Sequence, residues 1–485
     1  MTAARDAGLT NALRDLGAQA LRYGPVSGGA AAVTLPDGTR LSHRFGTAGP
    51  RGDRAVGPED RFEIGSVSKT IAALVTSVLV GEGALGLDDD VQGWLPWLRL
   101  PAGGSPVTVA HLLTHTTGWI SGNDAVPGEL AQALTLGDTA AGSAPGERFH
   151  YSNLGYVVLG LVLARAGGAS LAALTERTVT APLGMTGALA AVAGAERPRL
   201  CPGTVPLRDD VPWQPGEPLA EATWLEPAGA DGHVACTIED FAILAETLAS
   251  PELAAARLGV GVRERLWSRL APGGEGILDR GRRIAIVGDR YGLGVNVEPA
   301  PHGRVLSHGG GMVGYGAFLL ADEAAGIGVA VQLSAPGEQP VAELFARDLH
   351  ARALGVLGSG AGPSPAEPVG ETTPASWCPA ETRPAGEEPR DEELRAIVGS
   401  YRSYSPWFPV FRVLVVAGQP VLRAPGGVEA PGEDTPLVRL PDGGYRIGAE
   451  PWLPERIRFG PIIDGRAAGA DRDGCRYARV ADPRP

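Results

Sequence analysis

A chain of 485 residues with 44% hydrophobic content is globular and long enough for a large core plus at least one accessory domain. Its formal net charge of -13, with no run of basic residues, argues against binding nucleic-acid phosphates or anionic membrane surfaces. Cys201, Cys236, Cys378 and Cys475 are scattered, with neither Cys-x-x-Cys nor metal-ligand spacing, so the sequence implies isolated thiols, no metal and a reducing compartment.

The first predicted element is an amphipathic helix on Leu9, Leu13, Leu16 and Leu21, interrupted by Arg14, Asp15 and Gln19. That pattern is neither a signal peptide's unbroken apolar core nor a spanning helix, so the expected location is cytoplasmic. Gly28 to Leu35 and Arg40 to Gly46 are strand-like and flank Pro36-Asp37-Gly38-Thr39, a turn signal that predicts a β-hairpin. After an extended lead-in, Arg61 to Ile64, the apolar, proline-free run Val67 to Val80 predicts a buried helix with Ser66 at its N-terminal edge. Helical segments follow at Val109–Thr114, Leu130–Leu134 and Leu154–Ala166. Sheet signals return at Ile284–Val287, Gly292–Val297, Val305–His308, Gly316–Leu320 and Gly326–Leu333, before a helix from Val341 to Leu354. Strands from both ends enclosing inserted helices predict an α+β domain, residues 1–357, with a helical subdomain at about 87–206. Residues 358–390, rich in Pro, Gly and Glu, read as a linker. Beyond it, Val410–Val416, Pro420–Arg423, Leu437–Leu440, Tyr445–Ile447, Arg456–Phe459 and Arg476–Val480 predict a small all-β barrel or sandwich over 391–485.

Lys69 is the only lysine, although Lys and Arg together number 42. Where composition has replaced lysine by arginine almost everywhere, the survivor marks a position where an always-charged guanidinium will not serve. Ser66 lies three residues upstream, on the same helix face, and a serine needs a base to become a nucleophile. Tyr151-Ser152-Asn153, at the entrance to a helix, can project a phenol and an amide to one side, with Tyr151 as base and later acid. In Ser307-His308-Gly309-Gly310-Gly311, the glycines let a substrate lie against bare backbone, and the N–H groups of Gly311 and Ser66 would form an oxyanion hole. His308 is expected to line the pocket as a donor. Trp213, Trp224, Tyr291 and Tyr315 are candidate pocket walls, Asp88-Asp89-Asp90 reads as a turn, and His233 as structural.

These blocks, in this order, resemble the class C β-lactamase and penicillin-binding-protein superfamily of serine acyl enzymes from about Gly24 to Leu354. The resemblance is carried by Phe62–Lys69, Leu112 to Gly118, Pro145–Gly155, Pro182 to Thr186 and His308–Gly311. It implies a β-lactamase/transpeptidase-like antiparallel sheet flanked by helices, with no cofactor. It also implies Ser66 as acylated nucleophile, Lys69 and Tyr151 sharing base and acid roles, Asn153 assisting, Gly309 and Gly310 lining the substrate, and His115 structural. His308-Gly309-Gly310 departs from the Lys-Thr-Gly or Lys-Ser-Gly of most β-lactamases and transpeptidases. His-x-Gly resembles instead the family's esterases, amidases and acyltransferases. The segment from Leu394 to Tyr401 onward resembles the lipocalin-like barrel attached to some of these hydrolases. The expected function is a serine hydrolase or acyltransferase on an ester or amide of a small molecule or short peptide. The alternatives are a transacylase or peptide-releasing cyclase and, in another class, a silent ligand-binding homologue.

Overall fold

A computed structural model describes residues 2–101, 105–123, 126, 128–227, 229–279, 282–284, 290–300, 303–337, 340–358, 391–424 and 434–480. The proline-rich segment, most of the Ile284–Val287 run and Cys378 lie outside the described residues.

The chain opens with α1 (Thr2–Tyr23), then the hairpin β1 (Gly28–Thr34) and β2 (Arg40–Gly46). Its turn is closed by Leu35 and Thr39, with Gly38 at φ +83°. α2 (Val67–Gly81), α3 (Val109–Leu113), α4 (Asn153–Gly167) and α5 (Ile238–Ala249) follow. Then come β3 (Asn296–Ala300), β4 (Gly303–Met312), β5 (Tyr315–Asp322), β6 (Ile327–Ser334) and α6 (Val341–Leu357). The strands form one six-stranded antiparallel sheet in the order β2-β1-β6-β5-β4-β3, so the N-terminal hairpin pairs with the last strand, Ala30 opposite Gln332.

Successive side chains of a strand point to opposite faces, and here both faces are covered. Ala31, Val33, Phe318, Leu320, Val329 and Val331 pack under α1 and α6. Ala30, Ala32, Leu319, Ala321 and Ala330 pack with α2, α4 and α5 in the larger core. α1 buries Leu9, Leu13 and Leu16 as expected, but Ala20 completes the face while Leu21 is exposed. Two strand limits differ from the sequence reading. Gly292–Gly294 forms a turn, with Gly294 at φ +67° accepting from Thr70 Oγ1 at 2.6 Å. The glycine run stays in β4, with Gly311 opposite Gly316.

The C-terminal part is a closed barrel of eight strands, its core built on Tyr401, Phe411, Tyr445, Ile457 and Tyr477. Two of its strands, Gly399–Arg402 and Gly469–Arg472, are too short and small-residue-rich to stand out in the sequence.

Candidate active site

Ser66 occupies the N-cap of α2, and its hydroxyl makes no capping hydrogen bond. Instead its Oγ lies 2.9 Å from Lys69 Nζ, one helical turn away. Lys69 is fully buried and its amine also reaches Asn153 Oδ1 at 2.8 Å and the Asp231 carbonyl at 3.0 Å. Those two oxygens can only accept, so each takes an N–H, and the third valence of Nζ is aimed at Ser66. In an amine that valence is a lone pair; in an ammonium it is an N–H. One atom can therefore take a proton from Ser66 and later return one.

α4 begins where Ser152 Oγ accepts from Gly155 N at 3.1 Å, while the Asn153 N–H donates to the Ser121 carbonyl at 2.6 Å. Just upstream, Tyr151 presents its ring to Lys69 Nζ, 4.9 Å from the centroid, and stacks on His115 at 4.1 Å. Tyr156, one turn into α4, covers the amine from another side at 5.4 Å and donates to the Leu113 carbonyl at 2.7 Å. His115 has φ +54°, accepts from Ser152 N at Nδ1 (3.0 Å), and gives its carbonyl to His150 N (2.8 Å). Burial, with Lys69 nearby, holds His115 well below the usual imidazole range, so it is neutral. Its place is behind Tyr151, in the supporting role expected of it.

The third motif corrects two expectations. His308 is 1% exposed and offers the cleft no donor. Its Nδ1 lies 2.6 Å from the Gly309 carbonyl, which can only accept, so Nδ1 carries the proton and Nε2 accepts from Tyr291 Oη at 2.7 Å. Burial keeps the ring neutral. Gly310 is a glycine because a Cβ there would meet the Ile64 carbonyl at 2.0 Å, a demand of the protein's own backbone. Gly309 and Gly311 are half-buried. A Cβ on Gly65 would meet Gly311 N at 2.7 Å, so the turn before Ser66 and the end of β4 touch.

Tyr315, expected on the substrate, points away. It is 3% exposed, packs with Phe62, Cys201 and Met312, and donates to the Cys201 carbonyl at 2.7 Å. Trp224 serves Glu63, and Trp213 donates to the Glu217 carbonyl. His233 is buried against Thr175, and Asp89 accepts from Gly86 N and Trp94 Nε1 within its turn. Asp231 is absent from the sequence expectations. Burial raises its carboxyl, and Oδ1 has no hydrogen-bond partner among the described residues. With Gly232 and Met312 it walls a cavity of about 720 Å³ whose far side is Ser403–Trp407 and Arg476 of the barrel.

Comparisons with known proteins address the family and the fold. A family model described as Beta-lactamase matches residues 13–353. A penicillin-binding protein of Bacillus subtilis (strain 168) is 27% identical over 306 residues, 57% of this chain and 61% of its own length. Esterase EstB of Burkholderia gladioli is 34% identical over 227 residues, 42% of this chain and 55% of its own length. The chain thus spans between about half and three fifths of these relatives' length. Among solved structures, SurE superposes with a TM-score of 0.58 at 22% identity, covering 99% of this chain and 100% of that one, and has also been solved with D-Leu.

Proposed function

Because the chain belongs to the Beta-lactamase family, we propose that it is a serine hydrolase or acyltransferase working through an acyl-Ser66 intermediate on an ester or amide of a small molecule or short peptide. The observation that carries this is the uncapped Ser66 hydroxyl held 2.9 Å from the chain's one lysine. In the proposed reaction the Ser66 proton passes to the Lys69–Tyr151 pair as Oγ attacks the acyl carbonyl. The tetrahedral oxyanion is received by the N–H groups of Ser66 and Gly311, in keeping with the touch of Gly65 on Gly311. Collapse breaks the carbonyl bond to the leaving alcohol or amine, which takes the proton back from the same pair. Water or a second nucleophile then removes the acyl group. His308 and Tyr291, joined by their hydrogen bond, hold the wall behind Tyr151.

The cavity of about 720 Å³ beside Asp231 favours a second reading, transfer to an amine. It gives a second substrate somewhere to lie, which simple hydrolysis does not require. No single helix among the described residues is long and apolar enough to cross a membrane. The unpaired thiols of Cys201, Cys236 and Cys475 support a cytoplasmic workplace.

Intact-protein mass after mixing with activated esters, D- and L-amino-acid amides and a β-lactam tests the reading, with and without an added amine. A mass gain or turnover lost in Ser66→Ala is expected, and water against amine products separates hydrolase from transferase. Lys69→Arg, folded, is expected to slow acylation by roughly 10²–10⁴-fold, since guanidinium cannot give up its proton. No adduct and no turnover in wild type across the panel would count for the silent ligand-binding homologue.

A further inference from the structure

Glu455 belongs to the barrel, just before the strand Arg456–Phe459, yet its side chain is spent on the other domain. Its Oε1 lies 2.7 Å from His150 Nε2 and accepts from Ser121 N at 3.0 Å. Burial works against the charge, but the hydrogen bonds from His150 and Ser121 hold the carboxyl below its ordinary range. These two partners are the immediate supports of the tyrosine–asparagine motif. Ser121, held through its N–H, turns its carbonyl to Asn153 N at 2.6 Å and Leu154 N at 3.2 Å. His150, held through its ring, precedes Tyr151 and donates its own N–H to the His115 carbonyl at 2.8 Å. His115 in turn carries the Tyr151 ring and takes the Ser152 N–H. One carboxylate thus reaches both sides of Tyr151-Ser152-Asn153 through fixed hydrogen bonds. Around it, Trp452 meets His150 edge-on at 5.9 Å and lies under Arg148 at 5.5 Å.

We propose that Glu455 is a positioning residue for the acylation centre: the barrel supplies the anchor that sets Tyr151 and Asn153 against Lys69. It touches neither substrate nor the reacting atoms and acts only through His150 and Ser121. A displacement on the order of 1 Å at a catalytic group can cost roughly 100-fold in rate, so loosening this anchor is read in the chemical step. The proposal rests on the acyl-Ser66 reading.

The test compares acylation rates of full-length wild type, Glu455→Ala, Glu455→Gln and Arg402→Ala with one small activated ester, followed by intact mass, beside their melting temperatures. Arg402 pairs with Asp209 at 2.7 Å, so its loss also weakens the join between barrel and catalytic domain but leaves the loop untouched. Glu455→Ala is expected to slow acylation at least about tenfold while KM stays within about threefold. Glu455→Gln keeps an acceptor oxygen and is expected to restore most of the rate; Arg402→Ala is expected to keep it. Wild-type acylation in Glu455→Ala overturns the proposal, as does equal slowing in Glu455→Gln or in Arg402→Ala. If Glu455→Ala does not fold, Glu455→Asp replaces it. Its carboxylate is one methylene short of both partners, so slowed acylation supports the proposal and an unchanged rate overturns it. Wild type that takes no acyl group at all removes the acyl-Ser66 reading instead, a different result from wild type and variants acylating alike.

Discussion

Two buried carboxyls, Glu63 beside the nucleophile in the chain and Glu455 in the barrel, differ in what surrounds them, and pH separates them. Glu63, three residues before Ser66, is 2% exposed and receives one hydrogen bond, from Trp224 Nε1 at 3.0 Å. Burial pushes it from an ordinary 4.5 to about 8, with the Trp224 bond pulling weakly the other way. Folded Glu63 therefore holds its proton where the unfolded chain has lost it. Its contribution is fully present below about 4.5 and is lost as pH rises to about 8. Between those values Glu63 alone is expected to lower the urea midpoint with rising pH, against the rise contributed by the buried neutral His115 and His308. Glu63→Gln, neutral at every pH, is expected to flatten that slope and to be the more stable protein at about pH 8. A midpoint as steep in Glu63→Gln as in wild type would rule Glu63 out as its source. Glu455 runs the other way, its stabilisation present at neutral pH and lost on acidification, because His150 and Ser121 favour its charged form.

At the scale of elements, the junction of α2 with β4 is backbone against backbone. Gly310 faces the Ile64 carbonyl at 2.0 Å from a would-be Cβ, and a Cβ on Gly65 would meet Gly311 N at 2.7 Å. Gly310→Ala forces the strand end away from the turn that carries Ser66. Overpacking of this kind costs about 1–3 kcal/mol, to be read by urea denaturation. Acylation is expected to fall further than stability does, since the same movement parts Ser66 N from Gly311 N; acylation at the wild-type rate would show that these two groups do not work together. Local pattern makes much of this legible in the sequence. Helical spacing puts Lys69 over Ser66, Pro36-Asp37-Gly38 announces the hairpin, and the run at Tyr151–Asn153 announces the start of α4. What escapes is decided by partners distant in the chain. Tyr315 looks like a pocket residue beside the glycines, but Cys201, far upstream, supplies a carbonyl that draws its hydroxyl the other way. His308 looks like a donor until Tyr291 and the Gly309 carbonyl occupy both its nitrogens. Nothing near Glu455 marks it, because both its acceptor contacts come from residues on the other domain.

The whole molecule sets what enters. The accessory barrel supplies Ser403–Trp407 as one wall of the cavity beside Asp231, whose carbonyl takes a hydrogen bond from Lys69. Trp407, which also packs beside Met312, is the largest side chain on that wall. Trp407→Ala is expected to change KM for bulky acyl donors by about 3- to 10-fold while a small ester is turned over at the wild-type kcat. Equal effects on both would mean that the wall supports the fold and does not select. The composition of the surface has a practical corollary. With its single lysine sealed in the core, the folded protein presents no lysine amine to reagents in solution. Amine-directed dyes, biotin esters and aldehyde fixatives will find a chain terminus at most, and any modification at Lys69 reports that the catalytic chamber has opened. Trypsin, for its part, is left to cut the chain almost wholly at arginine, so Lys69 is the one site at which lysine-specific digestion would divide it.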